Sequence, residues 1–335
     1  MRSMCNNLAA ETKQKDFIDQ LQCPEVRMLT QAVFGPALIQ ILATPSSAHQ
    51  QREATAPRAE EAQPANQPVF ALDATYQQWL TALDLAPESL IDFLASPQRL
   101  KLGVYHERLW QYFLTHSHET ELICANLKAR HKGQDLGEFD LIYQHHKLGL
   151  VHCEIASKYY LADGEDDSAW EHWHGPGKTD RLDLKLHHSI NKQLNLADHP
   201  AAMATLESML NQEQKQRVSK QPLVKHLHVG GRLFYRRSDQ PVGRQTPQHL
   251  NPHHLKGHWL FLHEWQALLA NHRLRFCSVD KPFWLDTLAA HQQWMTRTEN
   301  KPALAQEQPE MVVYQLDEQH SAQYGFVVPN DWLSR

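Results

Sequence analysis

At 335 residues and 38.7 kDa, the chain exceeds one average domain and is long enough to bury a sizeable core. Hydrophobic residues make up 41% and charged residues 21%, mean hydropathy is -0.57, and no apolar run approaches the ~18 residues of a membrane span, which excludes a membrane-embedded protein. A formal net charge of -5 excludes a globally basic nucleic-acid binder, so any such contact has to come from local patches. The start, MRSMCNNLAAETKQKDF, holds no continuous apolar segment, and the five cysteines (Cys5, Cys23, Cys124, Cys153, Cys277) show no C-x-x-C spacing. Together these predict reduced thiols and a cytoplasmic location.

Pro24 sits at a first helical position, and residues 24–42 predict a short helix broken once at Gly35-Pro36. Residues 43–66 contain no aromatic and no aliphatic residue larger than Ala, so they predict a linker between an N-terminal helical segment (1–42) and a core. Two short helices around Pro87 come next, then an amphipathic helix over 100–115 with Leu102, Tyr105, Leu109 and Phe113 on one stripe. Three strand-like runs, 121–130, 136–145 and 148–161, are separated by gaps of hairpin length. After an acidic loop, 179–196 repeats Leu182, Leu186, Ile190 and Leu194 with Thr179 as candidate N-cap, and 201–218 reads as one further helix. Strands are predicted at 223–228 and 231–236 with Gly230-Gly231 as a turn between them, then helices (260–271, 283–296) and strands (311–316, 324–328). The order predicts an α/β core over 67–240 with a small mixed sheet, and a C-terminal α+β extension over 241–335.

Alternation on the second strand puts Glu138, Asp140 and Ile142 on one face and Phe139, Leu141 and Tyr143 on the other. On the third, His152, Glu154, Ala156 and Lys158 share a face opposite Val151, Cys153 and Ile155. Pairing the two strands brings two or three carboxylates and one ammonium together, which is costly unless a cation is bound. Mg²⁺ suits such a set, since one or two carboxylates plus phosphate oxygens hold it. The same third segment can also be drawn as a helix with Glu154 and Lys158 as an i,i+4 pair.

The strings LKLGVYHERLWQYFL, LGEFDLIYQHHKLGLVHCEIASKYYL and GPGKTDRLDLKLHHSINKQL resemble the bacterial family called domain of unknown function 1853 over most of residues 70–335. That family in turn resembles the restriction-endonuclease-like PD-(D/E)XK phosphodiesterase fold. The resemblance implies that Asp140 and Glu154 bind Mg²⁺ or Mn²⁺, with Glu107 or Glu138 auxiliary. It also implies a catalytic lysine two residues after Glu154, where this chain has Ala156; Lys158 keeps the face ~6.5–7 Å further along and is expected to serve as the displaced lysine that orients the water or stabilises charge.

Basic residues cluster at Lys128, Arg130 and Lys132, along Lys178, Arg181, Lys185, His188 and Lys192, and over 215–237. The last segment has seven Lys/Arg, including Lys225, Arg232, Arg236 and Arg237, together with Phe234 and Tyr235 and no acid, as a phosphate-tracking surface with stacking rings would. Such clusters are also ordinary solvated faces. Two functions are therefore expected as alternatives: a Mg²⁺-dependent phosphodiesterase acting on DNA or RNA, or an inactive nuclease-fold scaffold that holds nucleic acid, or a protein partner through its N-terminal segment.

Overall fold

The computed structural model describes residues 12–43, 69–98, 100–163, 167–237, 247, 249–271, 274–297 and 307–335. The 43–66 linker expectation lies outside these residues except at Ala43. Among them, no helix is long and apolar enough to cross a membrane.

Residues 12–20 are helical (α1), followed by α2 (Pro24–Phe34) with Pro24 in its first turn. Beyond Gly35 the chain does not resume a helix. Ile39–Ala43 forms a strand, β1, because Ile39 and Ile41 alternate inward and the segment lies antiparallel on a distant strand. Helices α3 (Ala74–Leu85) and α4 (Glu88–Leu94) flank Pro87, and Asp73 caps α3 by accepting from the Tyr76 N–H. Helix α5 (Leu102–His116) buries Tyr105, Leu109, Trp110 and Phe113. Its apolar stripe, with α2, covers one face of the sheet, where each fully buried side chain of this size contributes roughly 1.5–3 kcal/mol.

Strands β2 (Thr120–His131), β3 (Gln134–His145) and β4 (Gly149–Ala162) form an antiparallel meander, so the helical drawing of 148–161 does not hold. After the short β5 (Trp173–His174), α6 (Leu182–His188) leads into a π-helical turn over Ser189–Gln193. Arg181, not Thr179, is the N-cap of α6, and no side chain caps it. The single helix expected over 201–218 is two, α7 (Pro200–Met209) and α8 (Gln212–Lys220), because Asn211 opens a new helix with a capping box closed by Gln214. These helices cover the second face of the sheet.

Strand β6 (Val224–Arg236) lies parallel to β4 and runs unbroken through Gly230-Gly231, so that pair is not a turn. A Cβ on Gly231, at φ 117°, would sit 1.8 Å from the Lys158 carbonyl oxygen, and only glycine permits that approach of β6 to β4. The other edge of β6 is shared. Strand β1 pairs with its first half and β7 (Leu255–Phe261) with its second. Helix α9 (Leu262–Asn271) follows, then β8 (Arg275–Ser278), α10 (Leu288–Arg297), β9 (Glu310–Gln315) and β10 (Gln323–Val328).

The expectation of a small sheet is corrected. The sheet has ten strands in the order β2-β3-β4-β6-β7-β10-β9-β8, with β1 on β6 and β5 on β4. Of the C-terminal strands, β9 and β10 were legible and β7 and β8 were missed, and the pairing of all four in the same sheet is a long-range property that local alternation does not carry. The buried Arg27–Asp286 ion pair (Nε–Oδ1 2.9 Å, Nη2–Oδ2 3.0 Å) further joins α2 to the turn before α10.

Candidate functional site

The ladder between β3 and β4 runs from His145↔Gly149 to Leu141↔Cys153 and stops there. At the next position the Asp140 carboxylate, not a backbone carbonyl, accepts the Ile155 N–H at 3.1 Å. The β3–β4 ladder thus ends at the level of Asp140 and Glu154.

A break in strand alternation accompanies the end of the ladder. Leu141 and Tyr143 pack towards α2 and α5, as does Ala125 on β2. Phe139 and Leu127 instead pack with Ile142 towards α7, and the Phe139 ring meets His152 edge-on at 4.9 Å. The faces of the β2–β3 hairpin therefore exchange at the level of Asn126, a left-handed residue (φ 53°), and Asp140. The expected grouping of Phe139 with Leu141 and Tyr143 is overturned for this reason. Asp140 stands at the crossing, where Glu107 from the α5 side and Glu154 from the α6 side both reach it.

On β4 the alternation holds: Val151, Cys153 and Ile155 pack towards α5, and His152 and Glu154 lie on the other face. Glu154 is 1% exposed. Its Oε1 accepts from His152 Nε2 at 2.8 Å, and burial holds that imidazole neutral by pushing it down to about 4. Its Oε2 is buried without a hydrogen-bond partner. Asp140 and Glu154 lie close enough for their charges to couple. Burial, reinforced at Asp140 by the neighbouring Glu154, raises both to about 7. Glu107, with the Asn126 side chain against it, is also raised to about 7, by burial and then by Asp140 and Glu138. Glu138 sits at the rim, 3.9 Å from Lys128.

The lysines are arranged differently from the sequence reading. Lys158 is on the expected face, but its ammonium pairs with Asp180. Lys185, expected on a nucleic-acid-binding stripe, instead turns inward. Burial and the nearby Lys158 push its ammonium below the ordinary lysine value, while Asp140, Glu154 and Asp180 act in the opposite direction. The π-helical turn, closed by a Leu194 N–H to Ser189 O bond of 3.0 Å, sets Gln193 Oε1 to accept from both Lys185 Nζ (3.1 Å) and Ser189 Oγ (2.9 Å). Sequence reasoning missed Asn126, His152 and Gln193; only the shared β4 face hinted at His152.

The 215–237 segment does not form one basic surface. Arg232 is 7% exposed, and Phe234 and Tyr235 are core residues, because β6 is a central strand. Arg236 pairs with Glu264 (2.5 Å) and stacks over Trp259 and Phe261, while Arg237 lies near Tyr314. Lys225 is held by Asp198 and Asn195, each at 2.8 Å, and Arg181 by Asp183 at 2.7 Å. The structure does not bring these side chains together.

Among the described residues, no group of three His, Cys, Asp or Glu side chains forms a metal cage. Mg²⁺ does not require one. Two carboxylates, one with a buried oxygen lacking a partner, fit an ion that keeps waters and phosphate oxygens as its other ligands. Fold and site thus define an α/β protein of one ten-stranded mixed sheet, with an acid cluster and a half-buried lysine where the β3–β4 ladder ends. The model of the family described as domain of unknown function (DUF1853) matches residues 27–325, and the chain belongs to that family. No curated protein and no solved structure matches the chain.

Proposed function

We propose that the protein is a Mg²⁺-dependent phosphodiesterase acting on DNA or RNA, with Asp140 and Glu154 as ion ligands and Lys185 as the charge beside them. The observation that carries this reading is the pair of buried carboxyls at the end of the β3–β4 ladder, Asp140 anchored by the Ile155 N–H and Glu154 by His152, with Lys185 near enough for its charge to couple to both. The element order supports it: a helix, an antiparallel three-stranded meander, a helical crossover and a strand parallel to the third match the PD-(D/E)XK arrangement, with acids on the second and third strands. Bound there, Mg²⁺ would polarise a phosphoryl oxygen and lower the proton affinity of an attacking water.

This chain's own groups do the rest. His152 holds Glu154 through Oε1 and leaves Oε2 for the ion. Asp140 is anchored by the Ile155 N–H. Lys185, oriented by Gln193, stabilises charge developing on the phosphate, the role the resemblance expects of a lysine at Ala156. Lys158 is a positioning residue that tethers the 175–181 loop through Asp180.

A cleavage assay on single- and double-stranded DNA and RNA in Mg²⁺ and Mn²⁺ tests the proposal. Asp140→Asn and Glu154→Gln are each expected to lower the rate by about 10³-fold or more, Lys185→Met by about 10²-fold, and Lys158→Met by less than about tenfold. Absence of cleavage by the wild type, together with no Mg²⁺-dependent rise in melting temperature, would overturn it. The scaffold reading, which the Lys158–Asp180 pair favours, would then stand.

A further inference from the structure

A second polar site lies on the other side of β4. Where α5 crosses β4 and β6, a cavity is lined by His106, Ser157, His228, Gly230, Arg232 and Asp286. It lies on the face of β4 opposite Glu154 and Lys158, because Ser157 and Lys158 are consecutive on the strand and project to opposite faces.

The charge balance of this cavity is unusual. Arg232 is 7% exposed, its Nε has no hydrogen-bond partner, and one Nη donates to the Lys256 carbonyl at 3.1 Å. Among the described residues it has no carboxylate partner. Its guanidinium lies 3.6 Å over the Tyr324 ring, which attracts a cation but carries no net charge. The one acid in the wall, Asp286, is consumed by both Arg27 contacts and by the Thr287 N–H at 2.8 Å. His106 and His228 are 1% and 3% exposed, and burial keeps both imidazoles neutral, so neither adds a second cation; the His228 N–H is engaged by the Ala32 backbone, and His106 is left as a donor. An isolated buried cation is expensive unless a counter-charge joins it.

Space is provided at one position. A Cβ built on Gly230 would meet nothing nearer than His228 Nε2 at 3.6 Å, with His106 Nε2 at 3.8 Å. The glycine thus leaves room between the two imidazoles, beside Arg232.

We infer that this cavity is a binding site for a small oxyanion, a phosphate group, held by Arg232 with His106 and the Ser157 hydroxyl as donors. The site is separate from the proposed phosphodiesterase centre and does not depend on it. The phosphate is either the free ion or the end of a phosphomonoester, and the two share the recognition chemistry.

Equilibrium dialysis of the full chain against radiolabelled inorganic phosphate, with glycerol phosphate as competitor, tests this. The expected result is one phosphate per chain, displaced by unlabelled phosphate. Displacement by glycerol phosphate at lower concentration identifies the monoester end as ligand; weaker displacement identifies the free ion. Gly230→Ala fills the space without a steric clash, so it should fold with wild-type circular dichroism and lose binding at least tenfold. Arg232→Met should also lose it, whereas Lys185→Met should retain it. No saturable binding to the wild type, or binding that persists in both Gly230→Ala and Arg232→Met, would overturn the inference.

Discussion

The two sides of β4 carry polar clusters of opposite character. On the α6 side Glu154 couples to Asp140, which Glu107 also approaches from α5, and all three carboxyls resist ionisation; facing α5 alone, a buried guanidinium and neutral imidazoles lack a counter-anion. The acid side draws every member from residues 107–193, whereas the basic side joins residues from α5, β4, β6 and the 286 turn. A site built along a hairpin and its neighbouring helices leaves a pattern in the sequence. A site built across a sheet does not.

The comparison breaks most completely at the backbone shared by both sides. Gly231→Ala would drive a methyl group into the Lys158 carbonyl and separate β4 from β6. We expect a loss of about 4 kcal/mol or more, read as failure to fold or a collapse of the urea midpoint. The contrast with Gly230→Ala, one residue away and tolerated, is the sharpest form of this test.

A smaller effect separates the sides by pH. Glu107, Asp140 and Glu154 hold protons more tightly folded than unfolded, so the stability they contribute is complete below about pH 4 and is lost as pH rises through about 7. His106 and His228, pushed down by burial to about 3 and about 4, behave oppositely: their contribution is complete above about pH 6.5 and is lost as pH falls. Without divalent ions the carboxyls should therefore lower the melting temperature as pH rises from about 4 through 7, and the two imidazoles should lower it as pH falls below about 6.5. Glu154→Gln should flatten only the fall with rising pH, and Mg²⁺ should raise the melting temperature more at pH 8 than at pH 6. An unchanged fall with rising pH in Glu154→Gln would show that the acid side is not under strain.

The smallest effect is expected at Lys158. Its side chain and that of Asp180 are 24% and 41% exposed, so Lys158→Ala should cost about 0–1 kcal/mol in chemical denaturation.

Much of the acid side was legible. The meander, the acids of β3 and β4 and the face shared by Glu154 and Lys158 follow from period-2 alternation, and α5 from its apolar stripe. Alternation could not show its own failure at Asn126 and Asp140, because nothing about an Asn in a strand-like run announces a left-handed residue. The inward turn of Lys185 depends on a π-helical insertion, whose i→i+5 bonding leaves no mark in a heptad-like leucine repeat. Arg232 reads as a surface residue by composition, and only the position of β6 in the middle of the sheet buries it.

The Arg27–Asp286 pair spans 259 residues of sequence. At ~5–20 residues per second, a ribosome needs roughly 13–50 s to supply the aspartate after the arginine has been made. Through that interval α2 can dock on α5 only at the cost of burying an unmatched charge, and β1 has no partner until β6 is synthesised. The N-terminal segment is thus made first and locked last, which leaves the growing chain with an open sheet edge for much of its synthesis.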